Sequence, residues 1–110
     1  MAAVTLSLAL TSCGGSQAAA LAHTACVEVA ASIHEYASST RATTPGVARR
    51  ERALALEELR RALQPAALAG SAGGQWEALT ATLSESSRVP ESDLVTALSA
   101  QCAATLAQGG

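Results

Sequence analysis

Residues 22–36 read Ala22-His23-Thr24-Ala25-Cys26-Val27-Glu28-Val29-Ala30-Ala31-Ser32-Ile33-His34-Glu35-Tyr36. Ala22, Cys26, Val29, Ile33 and Tyr36 recur at steps of three and four, the spacing that puts side chains on one face of an α-helix. The spacing predicts a first helix from about Ser16 to Ser38. The same pattern continues outward. Thr44-Pro45 reads as an N-cap followed by proline at the first helical position. It opens a second helix expected to run to about Leu63, with Ala53, Leu56, Leu59 and Leu63 inward. Pro65 is expected to end it, because proline disfavours helical geometry in the residue before it. Residues 64–74, with Pro65, Gly70, Gly73 and Gly74, are expected to be the loosest stretch.

A third helix is expected from Gln75 to about Ser87, with Trp76, Leu79 and Leu83 on one face. Pro90 restarts the chain. Glu91 and Asp93 supply acid to the first turn of a fourth helix, as the helix dipole prefers. Leu94 or Val95, then Leu98, Cys102 and Leu106, carry its inward stripe to about Ala107. No stretch alternates with period two, and no internal repeat is visible. Four amphipathic segments with short polar links imply an all-α fold: a small antiparallel up-down-up-down four-helix bundle.

Length and composition agree with one domain. The chain has 110 residues, of which 27 are Ala, with no Phe, Lys or Asn. Any core must therefore be built from Leu, Val, Ile and Ala. Charged residues make up 15% against a typical value of roughly 25%, but an apolar content of 49% argues against intrinsic disorder. The formal charge of −2 argues against a generic nucleic-acid binder.

The N-terminus carries the clearest address. Ala2 to Leu10 form an apolar run interrupted only by Thr5 and Ser7. This is far short of the roughly 20 residues that span a bilayer, and it has the length of a signal-peptide core. Leu10-Thr11-Ser12-Cys13 follows, then Gly14-Gly15-Ser16. This segment resembles the lipobox of bacterial lipoproteins. The resemblance covers residues 1–16 and says nothing of the domain beyond. It implies a signal peptide over 1–12, lipid on Cys13 at the mature N-terminus, a flexible spacer to Ser16, and a single helical domain over 17–110. A secretory signal normally starts with a basic n-region; none precedes Ala2, so the expectation is a signal that begins upstream of Met1. Abundant Ala and Arg without Lys make the chain similar in composition to small actinobacterial lipoproteins.

With Cys13 assigned to lipid, Cys26 and Cys102 remain, an even pair in an exported chain. They are expected to form one disulfide between helices one and four. The alternatives are two buried thiols or a metal site, and no His stands near either Cys at zinc-ligand spacing.

Chemistry-bearing residues are few. His23 and His34 are eleven positions apart, roughly 16 Å along a helix, too far for one metal ion. Glu28 and Glu35 share a face seven residues apart and read as a solvated surface. There is no nucleophile elbow and no Gly-rich phosphate loop. An enzyme would need a cleft gathering His34, Glu35 or Tyr36 with a polar group from another helix, so no catalytic, cofactor or metal site is assigned. Residues 41–63 hold six Arg against three Glu, while 76–93 hold four acidic residues against Arg88. Glu57 and Arg61 form an i, i+4 surface pair. Arg49, Arg50 and Arg52 are nearly unpaired near the start of helix two, where their charge opposes the local dipole. They are candidate contacts for anionic lipid or an acidic envelope polymer. The functional expectation is a non-catalytic, lipid-anchored binding or scaffolding module on the extracytoplasmic face of the cell membrane. Its partners would be the membrane, through the anchor, and an envelope protein or acidic polymer, with no nucleic acid and no cofactor. The alternative is a carrier of a small apolar ligand inside the bundle, which calls for an internal apolar cavity.

Overall fold

The computed structural model describes the backbone of residues 8–109 and the side chains of residues 17–107. The described residues form four α-helices and no strand. They are α1 (Leu8–Thr40), α2 (Pro45–Ala72), α3 (Glu77–Ser84) and α4 (Glu91–Gly109). Tight 3-10 turns at Gly74–Trp76 and Glu85–Ser87 flank α3, so the expected third helix is a short α-helix between two turns. Packed pairs are α1 with α2, α2 with α3, α3 with α4 and α4 with α1. Among the described residues, no helix is long and apolar enough to cross a membrane.

The signals at the helix starts act as read. Thr44 Oγ1 accepts a hydrogen bond from the Val47 amide at 3.4 Å, and Pro45 occupies the first turn, where its missing N–H is not needed. Glu91 and Asp93 lie in the first turn of α4. The upstream end of α1 differs from expectation. Its backbone is helical from Leu8 through Gly14 and Gly15, where a spacer was expected to precede a helix starting near Ser16. The signal-peptide assignment falls in part on residues 1–7, and the Cys13 side chain likewise lies outside the described residues.

The extensive α1–α2 contact is made by small side chains. On α1, Ala18, Ala22, Ala25, Val29, Ser32 and Ser39 are buried; on α2, Ala55, Leu59, Ala62, Ala66 and Ala69. From Ala18 to Ser32 and from Ala55 to Ala69 the series step alternately by four and three, and Ser39 follows Ser32 after seven, the 3.5-residue repeat of helices that wrap closely. Alanine lets two backbones approach while keeping high helix propensity. One cross-link shows how close they come. The Ser32 hydroxyl donates to the Ala55 backbone carbonyl at 2.6 Å.

This seam corrects two expectations. The expected inward stripe of helix two was Ala53, Leu56, Leu59 and Leu63; of these only Leu59 is buried, Ala53 is exposed, and Leu56 and Leu63 are partly buried. Leu56 and Leu63 flank a contact line that Leu59 shares with alanines. Nor does Pro65 end the helix: α2 continues to Ala72 with Pro65 inside it. Proline in a helix interior removes one backbone bond and crowds the preceding turn, at about 3 kcal/mol. Ala66 and Ala69 extend the buried stripe by two more contacts, and Ala66-Ala67-Leu68-Ala69 are strong helix formers. Contact with α1 thus holds the segment helical through the proline. Gly70 serves the same end. A Cβ there would meet Thr80 Oγ1 at 3.3 Å, so glycine lets α3 sit close on α2.

Large side chains fill the other side of the seam. Leu79 and Leu83 of α3 and Leu94 and Leu98 of α4 join Val29, Cys26 and Leu59 in one cluster. Each fully buried leucine contributes roughly 1.5–3 kcal/mol. Cys26 and Cys102 are bonded, Cα to Cα 5.4 Å, and tie α1 to α4 across 76 residues of chain.

Two predictions follow from this packing. Ala62→Leu puts a long side chain into the seam and is expected to destabilise the fold by about 1–3 kcal/mol in denaturant titration, the usual effect of overpacking. Closing a loop of 76 residues is worth roughly 4.5 kcal/mol on the chain-entropy model. The Cys26→Ser/Cys102→Ser double variant, or reduction of the parent, is therefore expected to lower the thermal midpoint by more than about 10 °C. Calorimetry with and without reductant checks it.

Candidate functional site

The three helices that meet where α4 begins leave a groove of about 420 Å³. Tyr36 comes from α1, Arg52 and Leu56 from α2, Ser86 from the turn after α3, and Val89, Pro90 and Glu91 from the start of α4. Pro90 and the turn before it set the position of this wall. The Arg88 and Val89 amides both donate to the Glu85 carbonyl at 2.8 Å, closing the turn that brings Val89 onto the core.

Glu91 is the chemical centre of the groove. Its Oε2 lies 2.7 Å from Ser32 Oγ, which in turn lies 2.6 Å from the Ala55 carbonyl oxygen. A serine hydroxyl has one proton to donate, and a carbonyl or an ionised carboxylate can only accept. With Glu91 ionised, one proton must serve two acceptors. With Glu91 protonated, Glu91 donates to Ser32 and Ser32 donates to Ala55, and both short contacts become hydrogen bonds. The energetics point the same way. Burial raises the Glu91 pKa above the ordinary value of 4.5 and the Glu58 charge raises it further, against the lowering effect of a bond from Ser32.

A second group of carboxylates lines the α1–α2 contact. Burial and the neighbouring Glu35 and Glu28 push the Glu58 pKa up, while Arg61 and His34 oppose the rise. Glu58 Oε1 and Glu51 Oε2 are buried atoms without a hydrogen-bond partner. Glu28 and Glu35, expected as a solvated face, are thus brought together with a carboxylate from α2.

The remaining sequence-derived candidates are dispersed. Arg49, Arg50 and Arg52 are all exposed, but they do not share one concavity. Arg52 lines the groove with Glu91, whereas Arg50 lines a separate surface depression with Val47, Glu51 and Leu54. Their sequence positions explain the split, since residues two apart on a helix point about 200° apart. Glu57 pairs with Arg60 at 3.5 Å and not with Arg61; both partners are solvent-exposed, and such a pair contributes little. His23 is partly buried and His34 exposed. Of His34, Glu35 and Tyr36, only Tyr36 lines the groove. Sequence reasoning placed Glu91 as a helix-dipole residue and missed its bond to Ser32. Ser32 and Glu91 are 59 positions apart, and no local pattern links them.

Scans of the chain against family models, curated proteins and solved structures find no match.

Carboxyls with raised pKa values make the fold more stable in acid. The stabilisation is complete below the unfolded value near 4.5 and is lost as pH rises through the folded values. The thermal midpoint is expected to rise between pH 7.5 and pH 5. Glu91→Gln, whose amide donates to Ser32 as the protonated acid does, is expected to be more stable than the parent at pH 7.5 and equal to it near pH 4.5. Circular dichroism melts across this range check both.

Proposed function

We propose that this chain is a lipid-anchored, non-catalytic module of the cell envelope that binds or scaffolds a partner on the extracytoplasmic face of the membrane. The observation that carries the proposal is the Cys26–Cys102 bond, which joins the first and last helices through the middle of the core. Structural disulfides form and persist in oxidising compartments and are rare in the cytosol. Export is also what Leu10-Thr11-Ser12-Cys13 implies, and the two arguments use different residues. Acyl chains on Cys13 each contribute about 0.8 kcal/mol per buried methylene. They supply a membrane attachment that none of the described helices is apolar enough to supply by spanning.

The groove suits binding. It offers a guanidinium, a phenol and a hydrogen-bonded carboxyl beside apolar walls, an arrangement that orients a ligand. A carrier of an apolar molecule calls instead for an enclosed cavity. The largely apolar depression between α1 and α4, lined by Val29, Ala30, Ile33, Ser99, Cys102 and Leu106, measures about 260 Å³ and opens to solvent. Surface binding is therefore the better-supported reading. The placement of Arg50 and Arg52 in two separate concavities favours separate contacts over one basic patch for an acidic polymer.

Expressed with its native leader in a bacterial host, the protein is expected to partition into detergent and to carry a diacylglycerol mass on an N-terminal Cys13. Cys13→Ala is expected to move it to the aqueous phase or leave it uncleaved. Mass spectrometry showing an unmodified Cys13 inside an uncleaved chain overturns the proposal.

A further inference from the structure

The groove at the start of α4 has a charge balance that selects among ligands. Its polar groups are the Tyr36 phenol, the Arg52 guanidinium, the Ser86 hydroxyl and the Glu91 carboxyl; the rest of its wall is Leu56, Val89 and Pro90. Arg52 makes no ion pair among the described residues. Ser32 Oγ lies 2.7 Å from Glu91 Oε2 and 2.6 Å from the Ala55 carbonyl oxygen, and because serine has one proton to donate, both contacts become full hydrogen bonds when Glu91 is protonated. A groove with Glu91 neutral carries one positive charge, two hydroxyl donors and no anion to meet them.

We propose that this groove binds a small monocarboxylate with a short apolar body. The fork of a guanidinium matches a carboxylate through two parallel hydrogen bonds. Arg52 holds the carboxylate, the Tyr36 or Ser86 hydroxyl donates to it, and Leu56, Val89 and Pro90 cover the apolar body. A volume of about 420 Å³ falls within the roughly 300–1,000 Å³ typical of small-molecule sites. A polyanion is a poor match, since one guanidinium neutralises one charge and half of the wall is apolar. Neutral apolar molecules are a poor match as well, because they would cover Arg52 without pairing it.

Binding is coupled to the Glu91 proton. Glu58 of α2 acts on Glu91 electrostatically, Arg52 of α2 and Tyr36 of α1 line the same groove, and Asp93 lies two residues further along its own helix. Ionisation of Glu91 places a negative charge in the same groove as the ligand carboxylate and removes the net positive charge. Affinity therefore falls as pH rises through the Glu91 titration, and ligand binding in turn favours the protonated acid.

This inference rests on the reading of the chain as a binding module, but its test does not depend on export or lipidation. The full chain with its disulfide intact is titrated with hexanoate, followed by the NMR signals of Tyr36 and Val89. Hexanol is the neutral control, and Arg52→Gln, an exposed position, is the variant. Saturable shifts with a dissociation constant of about a millimolar are expected for a ligand of this size. Arg52→Gln and hexanol are each expected to bind at least about tenfold more weakly, the loss of one charge-assisted pair. Binding by the parent is expected to be at least about threefold weaker at pH 7.5 than at pH 5.5. Absence of saturable shifts, equal binding by hexanol, or unchanged binding by Arg52→Gln overturns the site. Equal affinity at both pH values overturns the role of Glu91. Failure of Cys13 lipidation leaves these outcomes untouched and bears on the envelope reading alone.

Discussion

Close approach of α1 and α2 along a line of small side chains is the constraint on which the rest of this structure depends. Alanine or serine at most buried positions of both helices lets the backbones come near enough for Ser32 to reach the Ala55 carbonyl. Because the seam is thin, Leu56 and Leu63 of α2 stand partly buried at its flank, while Leu59 within the seam series joins Leu79 and Leu83 of α3 and Leu94 and Leu98 of α4 in the core. The division of labour is physical: alanines set the distance between two long helices, and leucines supply most of the apolar area that the short elements bury. The same seam keeps α2 helical through Pro65, which its own sequence disfavours.

The position of α4 follows from two attachments of different kinds. The Cys26–Cys102 bond holds it to α1 covalently, and its first turn is held by the contact of Glu91 with Ser32. The second attachment places a carboxyl against the α1–α2 contact, where burial and the charge of Glu58 favour its protonated form. Stability and site chemistry are therefore linked through one side chain. The groove between Tyr36, Arg52 and Glu91 exists because α4 starts there, and the state of Glu91 sets its charge.

Much of the fold was legible in the chain. The three- and four-residue spacing of Ala22, Cys26 and Val29, the Thr44-Pro45 start and the acidic first turn of α4 are local signals, and the helices form where these signals act. Pairing of Cys26 with Cys102 followed from cysteine number once Cys13 was set aside. The buried stripe of α2 was less legible. Leucines draw attention in any hydrophobic pattern, but Ala55, Ala62, Ala66 and Ala69 differ little in sequence from exposed alanines such as Ala53 and Ala67. Which alanines are buried depends on the partner helix.

By itself the sequence indicated that the chain is helical and where α2 and α4 begin, and it offered Cys26 and Cys102 as a pair. The helical signals depend on backbone propensity and capping within a short span, and the pairing on cysteine number. Tertiary structure alone decided that Pro65 lies inside a helix, that Arg50 and Arg52 line separate concavities, and that Glu91 meets Ser32. The strength of those interactions depends on burial and on partners distant in the chain. A carboxylate in the first turn of a helix has the same local sequence whether it faces water or a buried serine. Only the packing of α4 against α1 and α2 distinguishes the two, by removing water and setting one serine hydroxyl between the Glu91 carboxyl and the Ala55 carbonyl.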